Sequence, residues 1–148
     1  MNWSSPVWWR GGLLPRTLNG DYIFGRDAKH GTLIDLGGHR EAFDSEIQAT
    51  AVREAKEESL GLINVPPEDL SNVWVYAGTA LFPVDVDMST EALLAHFNQR
   101  VRQEINPEVT QLVPVPEEDL MLVIETNDPP LYHRTRNVIL RGSYLQLK

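Results

Sequence analysis

The chain of 148 residues contains no cysteine. That excludes a disulfide framework, a thiolate nucleophile and cysteine-based metal centres, and it fits a cytoplasmic setting. No apolar run approaches the roughly 18 residues that a membrane span needs, so no transmembrane helix is expected. The opening stretch MNWSSPVWWRGGLLP is interrupted by Arg10 and two glycines before any signal-like apolar segment develops. Positive charge is scarce, with 13 Lys and Arg against 21 Asp and Glu, a net charge of −8 and a pI near 4.9. Neutralising a run of phosphates takes Lys and Arg, so this balance argues against a protein that tracks long nucleic acid. Acidic sites for divalent cations remain compatible with it. There is no internal repeat and no low-complexity tract. His30, His39, His96 and His133 lack a ligand spacing such as H-x-x-x-H. An apolar content of 42% in a chain of this length is that of one globular domain over 1–148.

What is present is a succession of short strand-like segments with two helices among them. DYIFGR (21–26) and TLIDL (32–36) read as strands joined by the turn-rich DAKHG. Gly37-Gly38 then reads as a backbone break leading into the loop HREAFD. Ser45-Glu46-Ile47-Gln48 matches an S-x-x-Q capping box and predicts a helix over about 46–60. Ile47, Ala51 and Ala55 form a narrow face of mostly small residues along it, and Gly61 supplies a stop. NVWVYAGTALFPV (72–84) predicts one long or bent strand. STEALLAHFNQRVRQEI (89–105) predicts a second helix with Ser89 or Thr90 as its cap, a stripe from Leu93 to Ile105, and Pro107 beyond its end. Segments 111–115, 120–125 and 137–147 read as strand or short helix. Strands mixed with two helices predict an α/β (α+β) domain whose mixed sheet is covered on both faces. Trp3, Trp8 and Trp9 at the start predict packing against the body or a subunit interface, the latter implying a homodimer; Trp74 is expected in the core.

The segment REAKEESLG (53–61) poses the chemical question. Glu54, Glu57 and Glu58 stand at i, i+3 and i+4, where like charges on a helix cost roughly 0.2–0.5 kcal/mol per pair. Either this is a solvated face carrying a small penalty, or a cation offsets it. Three carboxylates on a rigid helix form a hard-oxygen surface, to which a carbonyl of the glycine pair could add another donor, and Mg²⁺ takes oxygen ligands of this kind together with water and substrate phosphates. Arg53, four residues before Glu57, is placed to brace it by a charge-assisted hydrogen bond.

Taken whole, GGHREAFDSEIQATAVREAKEESLGL (37–62) resembles the signature segment of the Nudix hydrolases, written G-x5-E-x7-R-E-U-x-E-E-x-G-U. Gly38 takes the place of the first glycine, Arg53-Glu54 the R-E, Ala55 the apolar position and Glu57-Glu58 the E-E; Glu41 falls where many members have Glu in GGxxE. Two spacings depart from the pattern. Counted from Gly38 the first acid falls on Asp44, and counted back from Arg53 it falls on Ser45; E-E-S-L-G is also one residue longer than E-E-x-G. The resemblance implies an α/β/α sandwich and Mg²⁺- or Mn²⁺-dependent cleavage of a nucleoside diphosphate linked to another moiety. It implies metal ligands at Glu57 and Glu58, a carbonyl ligand at Gly38, and Glu54 as either a ligand or the group that takes a proton from water. It also implies a late acidic ligand, matched by Glu108 with Glu104 as the alternative, and a phosphate-contacting arginine, matched by Arg26. His39, beside Gly38, is close enough in sequence to approach a phosphate. Substrate choice is expected to lie with loops around 10–20, 63–72 and 126–136. Removal of an RNA 5′ cap and nucleotide sensing without cleavage are the alternative functions.

Overall fold

The computed structural model describes residues 1–147, and the strand at its centre is one that residue propensities disfavour. This strand, β1 (Arg10–Arg16), holds two glycines and a proline, residues depleted in strands, and it falls within the stretch around 10–20 expected to be a loop. Its partners make it a strand. β2 (Asp21–Asp27) joins it at Arg16, and β4 (Leu36–His39) pairs antiparallel with Arg10 to Leu13. Between those two pairings Pro15 has no cross-strand partner on that edge, so its missing N–H costs nothing there. On the other edge β6 (Thr79–Asp85) runs parallel to β1 along its whole length. β2 also carries the two-residue β3 (Leu33–Ile34) and β7 (Val109–Pro116), while β5 (Asn72–Tyr76) links β6 to β8 (Ser143–Gln146). The result is an eight-stranded mixed sheet.

Consecutive residues of the central strands divide between two cores, as the two-residue strand period requires. Leu13, Ile23 and Phe82 face α1 (Ile47–Glu58) and α2 (Thr90–Val101), packing with Ile47, Ala51, Ala55, Leu93 and Phe97. Their neighbours Leu14, Phe24 and Leu81 face α3 (Leu120–Thr126) and α4 (His133–Arg141), packing with Val123, Ile124 and Val138. Helices cover both faces, so the α/β/α sandwich with a central mixed sheet is the observed architecture. Trp8 is buried, Trp3 packs beside it on the first core, and Trp74 flanks the second core against Tyr144.

Several local expectations are corrected. Gly37 and Gly38 are not a break but lie inside β4, because the small residues there let two strands and a helix crowd together. A Cβ at Gly37 would stand 2.7 Å from both the Gly11 carbonyl oxygen and the Gly12 Cα. The helix α1 starts at Ile47 without the Ser45 capping box: Glu46 is its cap residue and makes no side-chain cap bond. The Ile47 amide instead donates to the carbonyl oxygen of Trp3 at 3.0 Å, and Gln48 turns inward. At the other end Leu60 and Gly61 both take left-handed backbone, with the Leu60 amide donating to the Glu57 carbonyl and the Gly61 amide to that of Lys56. Segment 72–84 is a hairpin rather than one strand, since Ala77 and Gly78 have φ of +50° and +78° and close a two-residue turn. Helix α2 has Ser89 as its cap but stops at Val101, and Ile105 is exposed. Residues 120–126 are helix, with Leu120, Val123 and Ile124 buried at i, i+3 and i+4; the stretch 137–147 divides between the end of α4 and β8.

Gly37→Ala should destabilise the protein by about 1–3 kcal/mol, because beyond the Asp35 carboxylate at 2.5 Å two of the clashing atoms are backbone and cannot rotate away. Urea unfolding checks this, and an unchanged midpoint would refute the close-packing account of the glycine pair.

Candidate functional site

Helix α1 lies close to the glycine strands because its packing face ends in alanines; at Gly11 a Cβ would stand 2.9 Å from the Ile47 carbonyl oxygen. This brings the acidic end of α1 against β4. The three acids then meet different surroundings. Glu58 is 9% exposed, and its Oε1 accepts the Gly37 amide at 2.9 Å. Glu54 lies against Gly38, where an added Cβ would stand 2.5 Å from its carboxyl carbon, so any side chain there would displace the Glu54 carboxylate. Glu57 points outward.

Arg53 holds this group in register. Its Nε and Nη2 donate to the two oxygens of Asp44 at 3.2 and 2.9 Å, Nη1 donates to Glu54 at 3.2 Å, and Nη2 also reaches the His39 carbonyl oxygen at 3.2 Å. Glu57, the expected partner, forms only a looser ion pair at 3.7 Å. Asp44 accepts the Thr50 hydroxyl and the Glu41 amide as well. Burial works against its charge, but the bonds from Arg53, Glu41 and Thr50 outweigh that and hold its carboxyl below the usual range. Of the two positions that spacing offered for the first acid, Asp44 is the one bonded to the arginine.

Burial pushes the Glu58 carboxyl up to about 9, and the charges of Asp35, Glu54 and Glu108 add to the rise while Arg10 opposes it. Burial likewise raises Glu54, with Arg53 opposing and Glu57 and Glu108 contributing. The exposed Glu108, just before β7, therefore faces the same group electrostatically. Behind Glu58 lies a network that local sequence patterns did not flag. Arg10 and Asp35, both buried, pair at 2.9 Å; the Thr135 hydroxyl from α4 bonds the other Asp35 oxygen, and Tyr132 lies under the Arg10 guanidinium. A lone aspartate inside the apolar run TLIDL was the available signal.

Arg26 is not brought to this group. Its partner in register is Leu33, which belongs to the core under α3 and α4, and its guanidinium bonds Gln111 and the Gly31 carbonyl. Glu104 lies across a groove of about 780 Å³ that also borders Arg53, Lys56 and Glu57. A separate concavity of about 750 Å³, beside residues 62–66 and the end of β6, shares none of these acids.

The donor set suits a hard divalent cation: carboxylates on one rigid helix, a glycine strand with no side chain in the way, and a buried carboxyl that would lose its proton to a cation. Among the described residues no three such side chains already stand in coordinating positions. Arg53 and the Gly37 amide hold the oxygens apart, so binding would require Glu58 or Glu54 to turn.

No family model matches the chain, and no curated protein matches it. Solved structures do. The Nudix hydrolase RenU from M. smegmatis superposes with a TM-score of 0.54 at 18% identity, over 89% of this chain and 81% of that one. The C. elegans Ap4A hydrolase complex gives 0.51 at 14%, over 89% and 93%. The MutT protein from Methanosarcina mazei gives 0.51 at 14%, over 89% of each chain. The fold is therefore the one that Nudix hydrolases have.

Because the Glu58 carboxyl titrates near 9 when folded and near 4.5 otherwise, folding takes up a proton between those values. Wild-type stability should accordingly fall as pH rises from about 4.5 to 9 in metal-free buffer. Glu58→Gln should flatten that slope and melt at a higher temperature than wild type at pH 8, with the gap closing towards pH 5. Parallel melting profiles for the two proteins would overturn the placement of Glu58.

Proposed function

We propose that the chain, having the Nudix fold, is a Nudix hydrolase: a Mg²⁺- or Mn²⁺-dependent pyrophosphohydrolase acting on a nucleoside diphosphate linked to another moiety. One observation carries this reading. Glu58 is a nearly buried acid, surrounded by Asp35, Glu54 and Glu108 and seated on the strand amide of Gly37. A carboxyl in such a place is a stability cost unless a cation joins it.

Glu57 and Glu58 are the direct ligands in this reading, with the Gly38 carbonyl and Glu108 completing the hard-oxygen set. When bound, a divalent cation neutralises diphosphate charge and acidifies a coordinated water. Glu54 has a raised proton affinity and stands against Gly38, which suits it to receive the proton that the attacking water loses. A direct bond to the cation is the other role open to it. Arg53 positions Glu54 and ties α1 to the loop through Asp44. Arg26 could contact phosphate only by leaving Gln111 and Gly31.

The nucleotide class is supported by the Ap4A hydrolase, which by its name acts on Ap4A. The formal charge of −8 favours small nucleotides over capped RNA as substrate. A nucleotide-sensing role without cleavage is favoured by the separation of the carboxylates described above.

Nucleoside triphosphates, nucleotide sugars, dinucleoside polyphosphates and capped RNA, each assayed with and without Mg²⁺ or Mn²⁺, test the reading. Cation-dependent cleavage of a phosphoanhydride in a small nucleotide is expected. Glu57→Gln and Glu58→Gln should each lower turnover by roughly two orders of magnitude, the scale of losing a preorganised charge-stabilising group. Wild-type rates in either variant would remove that carboxylate from the site. Thermal stabilisation by nucleotide with no product would favour the sensing role.

A further inference from the structure

Across the end of β4 from the carboxylates stands a second cluster, and the reading above gives it no part. Strand alternation turns Gly38 towards α1 and His39 towards the α4 side. The backbone of His39 joins the two regions, because its carbonyl accepts Arg53 while its ring packs edge-on against Trp9 at 5.4 Å.

Trp9 is held rigidly. Its indole N–H donates to the Ala77 carbonyl at 2.9 Å, its backbone amide donates to the Gly78 carbonyl at 3.0 Å, and the absence of a side chain at Gly78 makes room for the ring. The ring is only partly buried and also borders a cavity of about 340 Å³ shared with Trp8, Arg40 and Glu41. Over the ring, 4.5 Å from its centre, lies the guanidinium of Arg134. Among the described residues Arg134 has no carboxylate partner, although the chain has an excess of acids. It stands in the first turn of α4, which contains His133 and no acid, so its charge opposes the helix dipole. An exposed cation placed against the dipole, without a counter-ion and parked on a fixed aromatic ring, is suited to an anionic ligand that also presents a flat face.

We propose that Trp9, His39 and Arg134 form the seat for the planar end of the substrate, and that this seat selects diphosphates bearing an aromatic base over those without one. Arg134 swings from the Trp9 ring to phosphate oxygens, the base stacks on the ring it vacates, and His39 closes the edge. The proposal rests on the diphosphate-binding reading given above, but it concerns recognition and not cleavage.

Calorimetry with two non-cleavable ligands in Mg²⁺ tests it: an α,β-methylene nucleoside diphosphate, and methylenediphosphonate, which has the same bridge but no base. Wild type should prefer the nucleotide by at least about fivefold, the lower end of what base–aromatic stacking contributes. Trp9→Leu should erase that preference and Trp9→Phe should keep most of it, while Arg134→Gln should weaken both ligands. Equal affinity of wild type for the two ligands, or full preference retained in Trp9→Leu, overturns the proposal. Should Trp9→Leu fail to fold, Arg134→Gln decides, since that side chain is exposed and unchanged affinities there also overturn it. Because no turnover is read, an inactive enzyme that still prefers the nucleotide keeps this seat and loses the hydrolase reading. An active enzyme with no preference does the reverse.

Discussion

Glu58 reaches the amide of Gly37 because α1 and β4 approach closely there, and the surrounding structure follows from that contact. The approach requires alanines on the packing face of α1 and glycines at 11, 12, 37 and 38 on the strands. A carboxylate buried by such packing meets the field of Asp35 and Glu54, and Arg10 compensates only in part. The resulting hold on a proton or cation, more than the presence of three glutamates, distinguishes this helix end from an ordinary acidic surface. Solvated glutamates at the same spacing would repel weakly and have no use for a cation.

Arg53 answers a separate requirement. Carboxylates that are to act together need fixed positions before any cation arrives, and side-chain entropy opposes fixing them. A guanidinium bonded at once to Asp44, Glu54 and the His39 carbonyl supplies that order through planar, directional bonds. Lysine could neutralise the charge at this point, but it could not span the same three acceptors in one plane. Asp44 is shorter than glutamate and still reaches Arg53, while the Glu41 amide and the Thr50 hydroxyl hold it from the other side.

The parts legible in the sequence were those written in local spacing. The acids of α1 at i, i+3 and i+4, the Ser89 cap of α2 and the strand DYIFGR all needed only near neighbours to declare themselves; their order predicted a mixed sheet covered on both faces, and the Nudix resemblance implied the sandwich. The parts that were not legible depend on partners far along the chain. β1 looks like a loop because its strand character comes from β4 and β6 and not from its own residues. The cap of α1 is a backbone carbonyl of Trp3, and a carbonyl leaves no residue signature. The Arg10–Asp35 pair spans 25 positions and the Asp35–Thr135 bond spans 100, so spacing rules could not connect them. For the first acid, counting left Asp44 and Ser45 both open, and that Asp44 is the one bonded to Arg53 depends on the path of the loop.

The parallel pairing of β1 with β6 joins Arg10 to Thr79 and Arg16 to Asp85. Everything between, including the glycine strand, the Asp44 loop and the acidic helix, is enclosed in the long segment that this pairing closes. Such a closure costs entropy that its contacts must offset. The acids owe their arrangement to these strands: without them α1 has no glycine surface to rest on, and Glu58 is an ordinary carboxylate in water.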